Sequence, residues 1–91
     1  MSITISIPSV LRHECQGKAA LVASATSVRE ALRLLEQDHP ALYRSICDET
    51  GAVRQHVNLF VNDLFLHERE GLETSLAEGD VLTIMPAVSG G

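Results

Sequence analysis

The chain ends Ala87-Val88-Ser89-Gly90-Gly91, and these are the residues whose type and order point most directly to chemistry. Two final glycines alone can be no more than a frayed polar end. Three features give them more content. They follow directly on an apolar run, Val81 to Met85, that is expected to be a central strand. Pro86 keeps the chain extended and off any helix. The last eleven residues carry no charged side chain. Five extended residues from Ala87 onward reach roughly 17 Å, enough to enter another protein's active site while the body stays outside. Glycine has no Cβ, so Gly90 and Gly91 fit a narrow channel and adopt angles closed to other residues. A carboxylate on Gly91 is a poor electrophile until AMP is transferred to it from ATP. The resulting acyl adenylate is open to a sulfur nucleophile, which leaves a thiocarboxylate. Such a chain needs no general base, metal or bound cofactor of its own, and the ATP is used by a partner enzyme.

The other reactive residue types form no constellation. Cys15 and Cys47 are the two cysteines, and no CxxC joins them. In a chain without a secretory pattern they read as free thiols. Cys47 is expected on the inner side of a short helix and Cys15 exposed in a polar loop. His13, His39, His56 and His67 are scattered, with no HxH or HxxxH pair, so no metal site is expected. No nucleophile elbow suggests a hydrolase, and no glycine-rich phosphate loop follows a strand. The formal charge is −5 and Lys18 is the one lysine, which argues against a nucleic-acid partner. No apolar run is long enough to span a membrane, and the N-terminus does not resemble a signal peptide. A cytoplasmic location is the default expectation.

The elements that must position the tail are legible in outline. Ser2 to Ile7 alternates with period two, which places Ile3, Ile5 and Ile7 on a core and ends at Pro8. A polar loop holding Arg12, His13, Glu14 and Gln16 follows. A second strand is expected over Lys18 to Ala25, antiparallel to the first, with its facing open because alanines occupy both parities. Ser27 and Glu30 form a capping-box pattern, and Val28, Ala31, Leu32 and Leu35 give one apolar helical stripe. That helix should stop near His39, before Pro40. Pro40 opens a short second helix with Leu42 and Ile46 inward. Val57, Leu59 and Val61 mark a third strand, Asn62-Asp63 a turn, and Leu64 to Leu66 a short fourth strand. Glu68 to Gly79 is polar, with Leu72 and Leu76 its only large apolar residues. Glu78-Gly79-Asp80 then turns into the last strand.

The order ββα, short helix, βββ is an α+β arrangement. It predicts a β-grasp (ubiquitin-like) domain over residues 1–86, with a mixed sheet of about five strands. One main helix and one short helix complete it. First and last strands should be neighbours, and residues 87–91 form a flexible tail. The core should contain Ile5, Ile7, Leu32, Leu35, Leu59, Val61, Leu82 and Ile84. The same parities turn Phe60, Phe65 and Met85 outward. Single exposed apolar residues are common and carry no message; three on one wet face beside the tail suggest a docking patch. Pro8 and Arg12 are expected at its border. Lys18, Arg29 and Arg33 read as a solvated face.

These segments also carry a resemblance. The ending from Val81 to Gly91, the strand-turn Phe60-Val61-Asn62-Asp63, and Glu78-Gly79-Asp80 resemble the ThiS/MoaD family of ubiquitin-like sulfur carriers. The start, Ile5-Ser6-Ile7-Pro8-Ser9-Val10-Leu11-Arg12, is similar to the branch serving cysteine biosynthesis and to carriers for thiocarboxylate siderophores. The resemblance implies a protein cosubstrate rather than an enzyme. Its partners would be an E1-like adenylating enzyme, related to ubiquitin-activating enzymes, and a sulfur-accepting synthase. In some branches a JAMM-type metalloprotease trims or releases the Gly91 end; with Gly91 already last, that step is either absent or done. Family members also present partner-facing residues at positions matching the outward patch. A protein modifier conjugated to lysines through Gly91, and a plain β-grasp interaction module, remain as alternatives.

Overall fold

The computed structural model describes residues 2–66 and 71–86. Strand β1 (Ser2–Ser6) is followed by a 3₁₀ helix (Ser9–Cys15) and strand β2 (Ala20–Ser24). Helices α1 (Val28–Asp38) and α2 (Pro40–Ile46) come next. Strands β3 (Val57–Val61) and β4 (Leu64–Phe65), a 3₁₀ turn (Gly71–Glu73) and strand β5 (Val81–Pro86) complete the order. The strands form one sheet in the order β2-β1-β5-β3-β4. β1 and β5 pair in parallel, and the other neighbours are antiparallel. This is the β-grasp layout, with first and last strands adjacent as expected.

Alternation builds the core from the sheet side. Ile3 and Ile5 from β1, Leu82 and Ile84 from β5, and Val57, Leu59 and Val61 from β3 are buried on one face. The α1 stripe of Val28, Ala31, Leu32 and Leu35 covers that face, and Leu42 and Ile46 of α2 close it. All eight expected core residues are buried. Ser27 Oγ accepts from the Glu30 amide at 3.1 Å, as the capping box requires. The return bond lands one residue earlier than expected: Glu30 Oε1 accepts from Thr26 N–H at 2.7 Å. The Ser27 segment instead pairs with Ser75, and the Val28 amide donates to Thr74 O.

Four expectations are corrected. The polar loop after Pro8 is a 3₁₀ helix, and Cys15 at its end is fully buried rather than exposed. Its thiol sits 3.4 Å from Lys18 O, so the packing of this turn beside α2 hides it. The second strand is shorter than Lys18 to Ala25. Its facing is now fixed: Leu21 is buried and Val22 is exposed. Leu64 is 65% exposed, because β4 is only two residues long and sits at the sheet edge. Leu66, just beyond it, is buried and donates its amide to Leu59 O. The division at residue 86 and the expected looseness of Ala87, Val88, Ser89, Gly90 and Gly91 fall outside the described residues, as does His67.

Candidate functional site

The described part of the site is the strand that delivers the tail. β5 lies at the centre of the sheet, between β1 and β3. Its entry is fixed by a long-range lock. Asn62, at φ 54° in the β3–β4 turn, uses both ends of its side-chain amide. Its Oδ1 accepts from Val81 N–H at 3.1 Å and its Nδ2 donates to Asp80 Oδ1 at 3.2 Å. Its backbone amide donates to Val81 O at 2.8 Å. Asp80 Oδ2 in turn accepts from Ala77 N–H at 2.9 Å. These bonds hold the Asp80 carboxyl below its ordinary range, the Ala77 amide first and the Asn62 amide second. Gly79, at φ 86°, turns the chain in the left-handed region and donates to Ser2 O. From that anchored start β5 runs to Pro86, which lies opposite Val57.

The sheet's second face is not covered by the helices. Phe60 and Phe65 are cross-strand partners on it, with ring centroids 5.4 Å apart and planes tilted by 59°. Met85 pairs with Asn58, two residues along from the Phe60–Thr83 pair, so it lies diagonal to Phe60 on the same face. Phe65 and Met85 are each about half exposed, and Phe60 is half-buried between its neighbours. The three outward residues are therefore brought together. Ser6 is level with Thr83 in the β1–β5 register; continued by two residues, that register brings Pro8 level with Met85. Arg12 is not drawn into the patch by any described contact: its Nε donates to Ile7 O at 3.0 Å, which ties it to the end of β1. Leu64 pairs with the buried Val61 and so lies on the helix-side face, opposite Phe65; it is exposed because β4 is the sheet edge, and it adds nothing to the patch.

The thiols are poorly placed for chemistry. Cys47 is buried at the end of α2, and burial pushes its thiol up to about 11. A thiol in that range is almost wholly protonated near neutrality, and the thiolate is the nucleophile. His13 lies 3.6 Å from Glu14 on the surface. Among the described residues no three of His, Cys, Asp and Glu converge as metal ligands. No helix among them is long and apolar enough to cross a membrane.

With this geometry in place, the comparisons with known proteins are informative. The chain is 34% identical over 93 residues to the sulfur carrier protein CysO of Mycobacterium tuberculosis, covering all of both. It is 32% identical over 65 residues to small archaeal modifier protein 3 of Haloferax volcanii, covering 71% of this chain and 70% of the relative. Its structure matches a chain of the Amycolatopsis orientalis BexX/CysO complex with a TM-score of 0.87 at 34% identity, covering 98% and 99% of the two chains. The ThiS family model matches residues 10–91, which includes β5, the outward patch and the Gly90-Gly91 end, and the chain belongs to the ThiS family.

Proposed function

We propose that this protein is a sulfur carrier whose Gly91 carboxylate is adenylated and then converted to a thiocarboxylate. The observation that carries the reading is the delivery of the tail: the anchored strand β5 runs to Pro86, paired with Val57, directly before Ala87–Gly91. Full-length similarity to a protein named as a sulfur carrier supports it. The carboxylate oxygen attacks the α-phosphorus of ATP and pyrophosphate leaves. A sulfide nucleophile then attacks the acyl carbon and AMP leaves, which replaces one oxygen by sulfur. ATP binding and proton transfers belong to the E1-like enzyme, and a synthase takes the sulfur. The protein is a cosubstrate in this reading, with cysteine or another sulfur-containing metabolite as the end product. Phe60, Phe65 and Met85, bordered by Pro8, form the docking patch, and Arg12, tied to Ile7 O, stands apart from it. Residues 87–90 bridge from the body to the reacting centre, and a JAMM-type protease acts on the same end where release is needed.

The test is a loading assay with purified activating enzyme, ATP and sulfide, read by intact mass. The full chain should gain the difference between sulfur and oxygen. A chain lacking Gly91 should gain nothing, because its terminus falls one residue short, roughly 3.5 Å. A site that positions its reacting atoms does not tolerate that displacement. Sulfur uptake by the truncated chain, or sulfur carried on Cys15 or Cys47, would overturn the mechanism. Similarity to a protein named as a modifier favours one second reading, conjugation through Gly91 to lysines. Large covalent adducts in cell extract, absent with the Gly91 deletion, would establish that alternative.

A further inference from the structure

The two edges of the sheet are unlike. β4 is two residues long, and such short edges offer little backbone to an incoming strand. β2 runs five residues, Ala20-Leu21-Val22-Ala23-Ser24, with no charged residue and no proline. Those are the usual devices that keep an edge from pairing with another chain, and this edge lacks them.

The register fixes which backbone groups are free. Ile7 N–H donates to Ala19 O at 2.8 Å, and Leu21 and Ala23 lie opposite Ile5 and Ile3. Bonding alternates along an antiparallel pair, so Ala19, Leu21 and Ala23 turn their N–H and C=O groups to β1. Ala20, Val22 and Ser24 turn theirs outward, where no described residue pairs with them. Val22 is 76% exposed, on the face away from the helices.

We propose that β2 pairs with β2 of a second copy of this chain, antiparallel and about a two-fold axis at Val22. The segment is self-complementary in that register. Val22 exchanges both backbone bonds with its counterpart, and Ala20 exchanges both with Ser24 of the second copy. The two Val22 side chains meet across the axis, which removes the most exposed large apolar residue of the described chain from water. Charge agrees with the same register. Beyond the strand ends it carries Lys18, the one lysine, towards Thr26 of the second copy, whose amide holds the Glu30 carboxylate at 2.7 Å. A net charge of −5 on each copy opposes association, so the dimer forms at high protein concentration. It leaves β5 with Pro86, β3 and β4 unpaired by the second copy, since β1 lies between them and β2. Pairing and sulfur loading are therefore independent, and the failure of one leaves the other standing.

The test is sedimentation of the full chain from micromolar to millimolar concentration, with hydrogen exchange read amide by amide. The expected result is a concentration-dependent dimer in which the Val22 and Ser24 amides gain protection as the dimer fills. The Leu21 amide should be protected throughout. Val22→Lys and Val22→Glu each place like charges on the axis and should raise the dimer dissociation constant about tenfold or more. An equimolar mixture of the two should pair again. Both variants change an exposed side chain, so thermal unfolding should remain cooperative, and this separates lost pairing from lost fold. A chain that stays monomeric at millimolar concentration overturns the proposal. So does a dimer that persists in Val22→Lys, or a mixture that pairs no better than either variant alone.

Discussion

Asn62 and Asp80 are eighteen positions apart, yet one amide and one carboxylate fix where β5 begins. The sequence marked each separately, as a turn before β4 and a turn before β5. It could not join them, because their pairing depends on β3 and β5 lying side by side. The lock has a pH signature. The folded state holds the Asp80 carboxyl below its ordinary value, chiefly through the Ala77 amide, so the bonds stabilise the fold while Asp80 is ionised. That stabilisation is present above the unfolded-state value and fades as pH falls through the folded one. Asp80→Asn should therefore lower the urea midpoint relative to the native chain at about pH 7, and the difference should shrink at a second, acidic pH below the unfolded-state value. A gap of equal size at both pH values would show that the lock does not depend on the charge. Cys47 shows the opposite case, in which burial raises a thiol and removes it from chemistry.

At the scale of elements, what could be read from sequence was whatever periodicity and capping specify locally. Ile3-Ile5 and Leu82-Ile84 announced their facing, and Ser27 and Glu30 announced the start of α1. Less legible were elements whose form comes from neighbours. The turn Ser9–Cys15 looks polar in sequence but buries Cys15, because it packs beside α2. β2 mixes alanines at both parities, and only its pairing with β1 fixes Leu21 inward. Leu64 was expected inside on parity alone, yet the sheet ends there and no described residue covers it. The tail was read from Gly90-Gly91, Pro86, the uncharged last eleven residues and the apolar run before them, all of which are local in sequence. The α1 stripe belongs to the same buried cluster as the inward residues of β1, β3 and β5. Leu32 is 4% exposed within it. Leu32→Ala should cost about 2–5 kcal/mol by lost burial and an incompletely collapsed cavity. Chemical denaturation would measure this. A cost under about 1 kcal/mol would mean that the helix stripe is not seated on the sheet as described.

Among the described residues one face of the sheet is covered by the helices and the other is not, and the asymmetry bears on how the molecule meets a partner. Helices α1 and α2 lie on the Ile5–Leu82 side. On the other side Phe60, Phe65 and Met85 cluster across β3, β4 and β5, the half of the sheet from which Pro86 leads to the tail. In the proposed reading a partner seats on that cluster and takes the chain beyond Pro86. Aromatic and apolar anchors near the centre of such an interface usually carry much of its energy. Phe65→Asp and Met85→Asp change half-exposed side chains, so the fold should survive while each variant loses about 2 kcal/mol of binding to the adenylating enzyme, roughly thirtyfold in affinity. Arg33→Glu, on the exposed side of α1, serves as the control for charge alone and should bind as the native chain does. Calorimetric titration of the three variants decides the matter. Equal affinity for all three would remove the patch from the binding surface, whereas loss confined to Phe65→Asp and Met85→Asp would place the partner over the bare face, on the side where the tail departs.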